Sequence, residues 1–181
     1  MQIKQLAKQY YVLGNGAIAF TIIDFEISGI IDSNGSKVVH EFINSPEDFE
    51  FARKYVGGYH SDDTNQFGIR NISKVYGFGP YLIDTLELED YKKIAVEEFE
   101  NRCIEMLSEY NLDSEIEFME FMGNVKNAFK NLKINSHDFY QLLPEEWKYN
   151  DISPFQLSSY LCAFSINKID GIFSVIQIDD D

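Results

Sequence analysis

The residues whose types and spacing could support chemistry lie in one loop, His60-Ser61-Asp62-Asp63. Two carboxylates beside a histidine can bind a divalent cation or form part of a hydrolytic site. The surrounding segment, GGYHSDDTNQFG, is rich in glycine and aspartate, and functional residues are often carried on such loops. Aspartate and serine also form turns by hydrogen-bonding nearby backbone, so the cluster is more typical of a solvated turn.

No other motif has the spacing that a catalytic or metal site requires. The three histidines, His40, His60 and His137, are separated by 20 and 77 residues, which matches no ligand motif. The segment Gly77-Phe78-Gly79-Pro80 lacks the Gly-Lys-Ser/Thr ending of a phosphate loop and the third glycine of a dinucleotide fingerprint. The sequence therefore predicts a protein that is not an enzyme and that holds no cofactor and no metal.

The charge balance of the chain points to a basic partner. Of 181 residues, 30 are acidic and 15 are basic, which gives a formal net charge of −15. Such a charge keeps a protein soluble, and it also attracts a positively charged protein over long range. Direct binding to nucleic acid is disfavoured, because contacts to phosphates require a basic patch.

The sequence predicts a cytoplasmic protein. Cys103 and Cys162 form no C-x-x-C motif and lie in apolar patterns, so we expect buried thiols in a reducing compartment. The N-terminal segment lacks the continuous apolar region of a signal peptide. The most apolar run, residues 17–31, contains Asp24 and Glu26 and is shorter than the roughly 20 apolar residues of a membrane span.

Acidic residues that precede or enter two predicted long helices form a candidate surface for a basic protein. Acidic residues in the first turn of a helix also complement the helix dipole, and this is their ordinary role. The start of the second predicted helix carries three such acids, Glu115, Glu117 and Glu120. Taken with the acidic loop, the predicted partner-binding residues are Tyr59, Asp62, Asp63, Glu87, Glu89, Asp90 and Glu97.

The central element of the predicted fold is a hairpin over residues 17–42. Residues 24–31 alternate between polar and apolar side chains, as a strand with one buried face does. Ile18, Phe20 and Ile22 have the opposite parity, so we expect a bulge near residues 22–24 that brings both sets to one face. Residues 32–35 predict a turn and residues 37–42 a second strand. A helix over 18–31 is the alternative.

The remaining segments predict helices, short strands and a second hairpin. Apolar spacing predicts helices over 2–13, 46–56, 89–110 and 114–132, with a strand over 9–13 as the alternative to the first. We expect a further helical turn over 136–143 and strands over 68–76 and 81–88. Residues 157–164 could form either a helix or a strand. Residues 161–166 and 172–178 flank an Asp-Gly turn. The sequence therefore predicts one α+β domain over 1–181, an antiparallel sheet built from N- and C-terminal hairpins with helices packed on one face.

The hairpin IAFTIIDFEISGIIDSNG, the segment SPEDFEFARKYVGGYH after it and the acidic balance give the chain a general resemblance to immunity proteins. These are the immunity proteins of contact-dependent growth inhibition and related polymorphic toxin systems. The resemblance implies a cytoplasmic α+β domain that binds a cognate toxin, commonly a basic nuclease domain, and blocks its active site or substrate path. The family has no shared motif, so it assigns no residue. Recognition could use acidic side chains or an unpaired strand edge.

Two other functions fit the same residues. The first is an acidic inhibitor that mimics DNA, such as a phage-encoded antagonist of a nucleic-acid enzyme. The second is a hydrolase or metal-binding enzyme that uses His60, Asp62 and Asp63. The three hypotheses differ in what they bind, since an immunity protein has one cognate partner, a mimic has several DNA-binding partners, and an enzyme has a substrate.

Overall fold

A computed structural model describes residues 2–14, 18–28, 34–45, 54–55, 76–110, 114–136, 138–144 and 159–180. Within these ranges the chain forms strands, three α-helices and two short 3₁₀ turns, Ile83–Thr85 and Leu88–Asp90. The helices are α1 (Gly35–Ile43), α2 (Val96–Ser108) and α3 (Glu115–Asn135). The strands are β1 (Ile3–Leu13), β2 (Ile18–Ile27), β3 (Lys54–Tyr55), β4 (Tyr76–Phe78), β5 (Tyr81–Leu82), β6 (Tyr91–Lys93), β7 (Asp138–Leu142), β8 (Ser159–Asn167) and β9 (Ile172–Asp180).

Six strands form one antiparallel sheet in the order β1-β2-β9-β8-β7-β6, and β3, β4 and β5 form a small second sheet. The N-terminal hairpin β1–β2 and the C-terminal hairpin β8–β9 meet where β2 pairs with β9. At the turn of the second hairpin, the Asn167 side chain accepts the backbone N–H groups of Ile169 and Asp170, and Gly171 has a φ of 68°. The predicted α+β class, with a sheet built from the two terminal hairpins, is confirmed.

The central strand β2 is buried on both faces of the sheet. Ile18, Phe20 and Ile22 pack in the core cluster that contains residues of α2 and α3, whereas Ile23 and Phe25 pack in the cluster that contains α1. The bulge predicted near residues 22–24 is therefore wrong, because the two apolar sets point to opposite faces. The irregularity in register lies instead in β1, between residues 5 and 7.

Helix α1 covers one face of the sheet and stands where a second strand was predicted over 37–42. The Asn34 side chain accepts the Ser36 backbone N–H at 3.1 Å, which caps the helix start. The Phe42 ring lies 4.9 Å from the Phe25 ring and 4.6 Å from the Phe173 ring, measured between centroids. The prediction fails because the Asn-Gly pair begins a helix here, and the apolar residues after it recur at helical spacing.

Helices α2 and α3 cover the opposite face. The prediction that the helices pack on one face of the sheet is therefore wrong, because α1 covers the other face. The Ser114 Oγ accepts the Glu117 backbone N–H and caps α3. Lys133, near the end of α3, pairs with Glu100 near the start of α2, so the two helices run antiparallel. Helix α2 begins at Val96 and not at residue 89, because the preceding residues form a 3₁₀ turn and strand β6.

Other local predictions are corrected by pairing within the sheets. Residues 3–13 form β1 and not a helix, and the alternative strand over 9–13 is its last part. Residues 138–142 form β7, whose five residues are all buried, so no alternation distinguishes this strand from a helix. Residues 54–55 are β3 rather than the end of a helix, and β5 stops at residue 82. Within 157–164, the described residues 159–164 are strand. Residues 46–53 and 68–75 lie outside the described ranges.

The start of α1 is packed against the ring of Tyr140, and this leaves no space for a side chain at Gly35. A Cβ atom built on Gly35 would lie 2.4 Å from a ring carbon of Tyr140. We expect Gly35→Ala to lower the free energy of unfolding by about 1–3 kcal/mol, because the ring or the helix start must move. The midpoint and slope of urea denaturation measure this change.

The matched control is Gly123→Ala, in the exposed middle of α3, where an added Cβ meets nothing within 4 Å. This change is expected to raise the free energy of unfolding by about 1 kcal/mol, because alanine favours the helix over glycine. A Gly35→Ala protein as stable as the wild type would contradict the close packing at Tyr140.

One carboxylate connects three parts of the sheet. Asp138, at the start of β7, is paired with Lys93 of β6 and, at 2.6 Å, with Lys168 in the turn between β8 and β9. Burial raises the pKa of Asp138, but hydrogen bonds and charges from Lys168 and Lys93 outweigh that effect and leave the pKa below its usual value. The ionised carboxylate therefore favours the folded chain.

Because the pKa of Asp138 is lower in the folded chain than in the unfolded chain, its contribution to stability is complete above the unfolded pKa of about 3.9 and is lost as pH falls through the folded pKa. We expect Asp138→Asn to lower the free energy of unfolding by about 1–2 kcal/mol at neutral pH. Urea denaturation as a function of pH should show this difference shrinking below about pH 4. A difference that is unchanged at about pH 2 would refute this account of the carboxylate.

Candidate functional site

The candidate site is a groove of about 710 Å³ between the end of β1 and the first half of α3, which we call the β1–α3 groove. Residues 10–14 line one side, and Glu117, Glu120, Phe121 and Asn124 line the other. These four residues recur at three- and four-residue spacing, so they share the flank of α3 that faces β1. The groove therefore depends on the packing of α3 over the edge of the sheet.

The floor of the β1–α3 groove is part of the hydrophobic core. Leu13 and Phe121 are buried and belong to the cluster that joins the sheet to α2 and α3. The ring of Tyr11 stacks on the ring of Phe20, with 6.4 Å between centroids. The floor is thus held by the same contacts that hold α3 on the sheet.

Exposed apolar and acidic side chains lie on the two elements that form the β1–α3 groove. On β1, Tyr10 is 50% exposed and Val12 is 48% exposed; the residues that alternate with them pack in the cluster that contains α3, so both side chains point to the opposite face of the sheet. On α3, Glu117 and Glu120 are exposed, and within the described part of the chain neither forms an ion pair. Ile116, beside them, is 81% exposed. Exposed apolar area next to uncompensated charge is typical of a surface that contacts another macromolecule.

The groove also lies at one end of the long edge strand of the six-stranded sheet. β1 is the terminal strand, and seven of its eleven residues are exposed. The opposite edge, β6, has three residues, of which Lys92 and Lys93 are exposed, and short lysine-bearing strands are protected from pairing with other chains. Among the described strands, β1 therefore offers the longer accessible edge.

The sequence-predicted partner residues do not converge on this groove. Tyr59, Asp62 and Asp63, and with them the His60 loop, lie outside the described residues. Glu87 and Glu89 are exposed around the second 3₁₀ turn. Asp90 is buried, and its carboxylate accepts the Glu87 backbone N–H at 2.7 Å in a capping box. The expectation that Asp90 forms part of an exposed acidic surface is therefore wrong, because this side chain closes a local turn.

The acidic start of α2 is partly neutralised within the protein. Glu97 is exposed in the first turn of α2, near Lys133 of α3. The pKa of Lys133 is raised mainly by its hydrogen bond to Glu100, and the charges of Glu100 and Glu97 add to this effect. Glu98 pairs with Arg102 at 2.7 Å. The start of α2 is therefore a weaker attractor for a basic partner than its sequence indicates.

A second, polar pocket of about 350 Å³ lies between the end of α3 and the sheet. Its groups are bonded to one another: Ser174 donates to Asp24 at 2.6 Å, and the Asn167 amide donates to Asp170 at 2.8 Å. In the part of the chain that the structure describes, no group of three or more histidine, cysteine, aspartate or glutamate residues could hold a metal ion. The hydrogen bonds in this polar pocket therefore stabilise the C-terminal hairpin β8–β9 and its pairing with β2.

The one described histidine and the two cysteines pack within the protein and form no catalytic cluster with each other. His40 lies on α1, with its ring 6.0 Å from the ring of Tyr91. The prediction that Cys103 and Cys162 are buried, unpaired thiols is confirmed. Burial raises the pKa of both thiols, so they remain protonated and are poor nucleophiles. His60 and His137 lie outside the described residues.

Comparison with known proteins gives no relative for this chain. No family model matches it, and neither a curated protein nor a solved structure does. None of the helices in the described ranges is long and apolar enough to cross a membrane. The chemistry of the β1–α3 groove is therefore the best guide to function.

Proposed function

We propose that this protein is a cytoplasmic immunity protein, which binds a cognate toxin domain and blocks its active site or substrate path. The observation that supports this proposal is the accessible edge strand β1, which exposes Tyr10 and Val12 on the face away from α3 and borders, on its other face, the groove that carries Glu117 and Glu120. Specific protein interfaces combine an apolar centre, often aromatic, with a charged rim that guides the partner into place.

A basic nuclease domain is the partner that this surface fits best. A nuclease must present positive charge to the phosphates of its substrate. A chain with a net charge of −15 attracts such a domain, and it covers the substrate path when it binds the basic surface. Inhibition is then stoichiometric and requires no reaction on the part of the inhibitor.

The direct test is co-expression with the product of the neighbouring reading frame. We expect that product to stop growth when it is expressed alone, and growth to recover when both are expressed. The two proteins should then elute as one complex of fixed stoichiometry. As a control, an inactive variant of the neighbour should form the same complex without stopping growth. Growth that stays arrested, with no complex formed, would contradict the proposal.

Salt dependence separates charge-guided binding from a purely apolar interface. We expect the Kd for the partner to increase by roughly tenfold from low to physiological ionic strength, because exposed charges are screened over about 8–10 Å. Calorimetry at several salt concentrations measures this change. An affinity that does not vary with salt would show that the glutamates are not part of the binding surface.

The alternative of a DNA-mimicking inhibitor rests on the same net charge. A mimic binds several unrelated nucleic-acid enzymes, and each of them is displaced from the protein by DNA. An immunity protein binds its cognate toxin with high preference. Binding measured against the cognate domain and against two unrelated nucleases distinguishes the two functions.

A further inference from the structure

The outer edge of β1 is the part of the candidate surface that indicates what kind of segment the protein binds. We propose that residues 9–13 of β1 bind an extended segment of the toxin domain, which pairs with them as a seventh, antiparallel strand of the six-stranded sheet. The segment is held by hydrogen bonds to the β1 backbone where the strand borders the β1–α3 groove. This inference rests on the proposed function, because it names the contact through which the toxin is held.

Two hydrogen bonds at the end of β2 show in which directions its backbone groups point. The Ser28 N–H donates to the carbonyl of Gln2, which immediately precedes β1. The Ile27 N–H donates to the carbonyl of Gly171, which immediately precedes β9. Successive residues of a strand direct their N–H and C=O groups to opposite sides. The even-numbered residues of β2 therefore face β1, and the odd-numbered residues face β9.

It follows that Val12 directs its backbone N–H and C=O away from β2. Tyr11 is paired in register with Phe20, and Leu13 is paired with Ile18. Both partners are even-numbered residues of β2, so the backbone groups of Tyr11 and Leu13 point into the sheet. Val12 lies between them and points outward, and no described strand lies beyond β1. An outward N–H and C=O on one residue can form the closely spaced pair of hydrogen bonds of an antiparallel ladder.

The β1–α3 groove provides the space for a strand at this edge. The side chains of Tyr10 and Val12 point to the face opposite to α3, and yet both residues line the groove. The groove therefore borders the backbone of β1, and it lies along the outer edge of the strand as well as above one face. A segment at this edge is bounded by the flank of α3 on that face.

The composition of β1 favours pairing at residues 9–13 over pairing at its first half. The first half carries Lys4 and Lys8 and the register irregularity between residues 5 and 7. Lysines and bulges protect an edge strand from pairing with other chains. Residues 9–13, QYYVL, contain no charge, no proline and no glycine, and aromatic and β-branched residues favour strand pairing. The edge is thus protected at one end and open to pairing at the other.

The two faces of β1 indicate which side chains the added segment carries. Alternate residues of the segment would lie beside Tyr10 and Val12, and apolar or β-branched side chains pair best with these two. The residues between them would enter the groove, whose wall on α3 carries the polar side chains Glu117, Glu120 and Asn124. The segment that fits is therefore an amphipathic strand with one apolar and one polar face.

A second copy of this chain is a poorer occupant of the edge. Two chains with a net charge of −15 repel each other. Pairing of β1 with β1 of another copy about a twofold axis would also place both α3 helices on the same face of the joined sheet, and each helix begins with Glu115 and Glu117. A strand from a domain of opposite charge forms the same backbone hydrogen bonds without this repulsion.

The first experiment follows amide hydrogen exchange at single residues by NMR. In the free protein, the Val12 amide should exchange at least about tenfold faster than the amides of Tyr11 and Leu13, because those two point into the sheet. Addition of the toxin domain should slow exchange at Val12 by about tenfold or more. The matched control is the Gln5 amide, which also points outward but lies in the protected half of β1. Its exchange rate should change by less than about threefold.

The second experiment removes the outward N–H itself. Val12→Pro deletes this donor, and proline is tolerated where the N–H of an edge strand faces away from the sheet. Calorimetry should show the Kd for the toxin domain rising about tenfold or more, because a hydrogen bond is lost and the proline ring obstructs the added strand. Val12→Thr keeps the N–H and the β-branched shape, so its Kd should stay within about threefold of the wild-type value. Thermal unfolding confirms that both variants are folded, and the exchange experiment does not depend on either variant.

The outcomes separate this inference from the proposed function. A toxin domain that is neutralised while exchange at Val12 stays unchanged, or that binds Val12→Pro as tightly as the wild type, would overturn the strand pairing and leave the immunity function standing. A Val12 amide that exchanges as slowly as its neighbours in the dilute free protein would overturn the outward edge. Exchange at Val12 that slows as the concentration of this protein alone rises would identify a second copy as the occupant. A neighbouring gene product that never binds the wild-type protein would overturn both proposals.

Discussion

The pairing of β2 with β9 is the constraint on which the rest of the structure depends. Nine register pairs, from Ile18 with Asp180 to Glu26 with Ile172, join the first hairpin of the chain to the last. Because these strands lie at the centre of the sheet and are apolar on both faces, each face must be covered. Helix α1 covers one face, and α2 with α3 covers the other. Polar groups on the sheet, such as the half-buried Asp24 and the buried Ser174, are hydrogen-bonded to each other.

The position of β1 follows from the same pairing. Once β2 is bound to β9 on one side, β1 becomes the terminal strand, and among the described helices only the flank of α3 reaches over it. Tyr11 and Leu13 turn toward the core, while Tyr10 and Val12 remain exposed on the other side of the strand. The candidate surface is thus a product of the sheet order, because the edge strand lacks the second covering layer that protects the centre.

Electrostatics divide the acidic residues into two groups. Where α2 and α3 run antiparallel, the acidic start of one helix meets the basic end of the other, and Glu100 pairs with Lys133. Asp138 is similarly held by Lys93 and Lys168. The acids near the start of α3, like Glu26 and Glu41, form no ion pair among the described residues. Pairing therefore lowers the negative charge at the start of α2 and at Asp138, and leaves it at several other surfaces.

The sequence by itself determined the elements whose patterns are local. The helical stripes of α2 and α3, the capping residue Ser114 and the Asp-Gly hairpin at the C-terminus all follow from spacing and turn chemistry. The acidic balance, the buried cysteines and the α+β class follow from composition and from the order of elements. Only the tertiary structure decided that residues 3–13 are a strand, that residues 35–43 are a helix, and that Asp90 is buried while Glu120 is exposed. These outcomes depend on tertiary contacts, since β1 is held as a strand by its pairing with β2, α1 is packed on the sheet, and the β1–α3 groove exists only where the two elements meet.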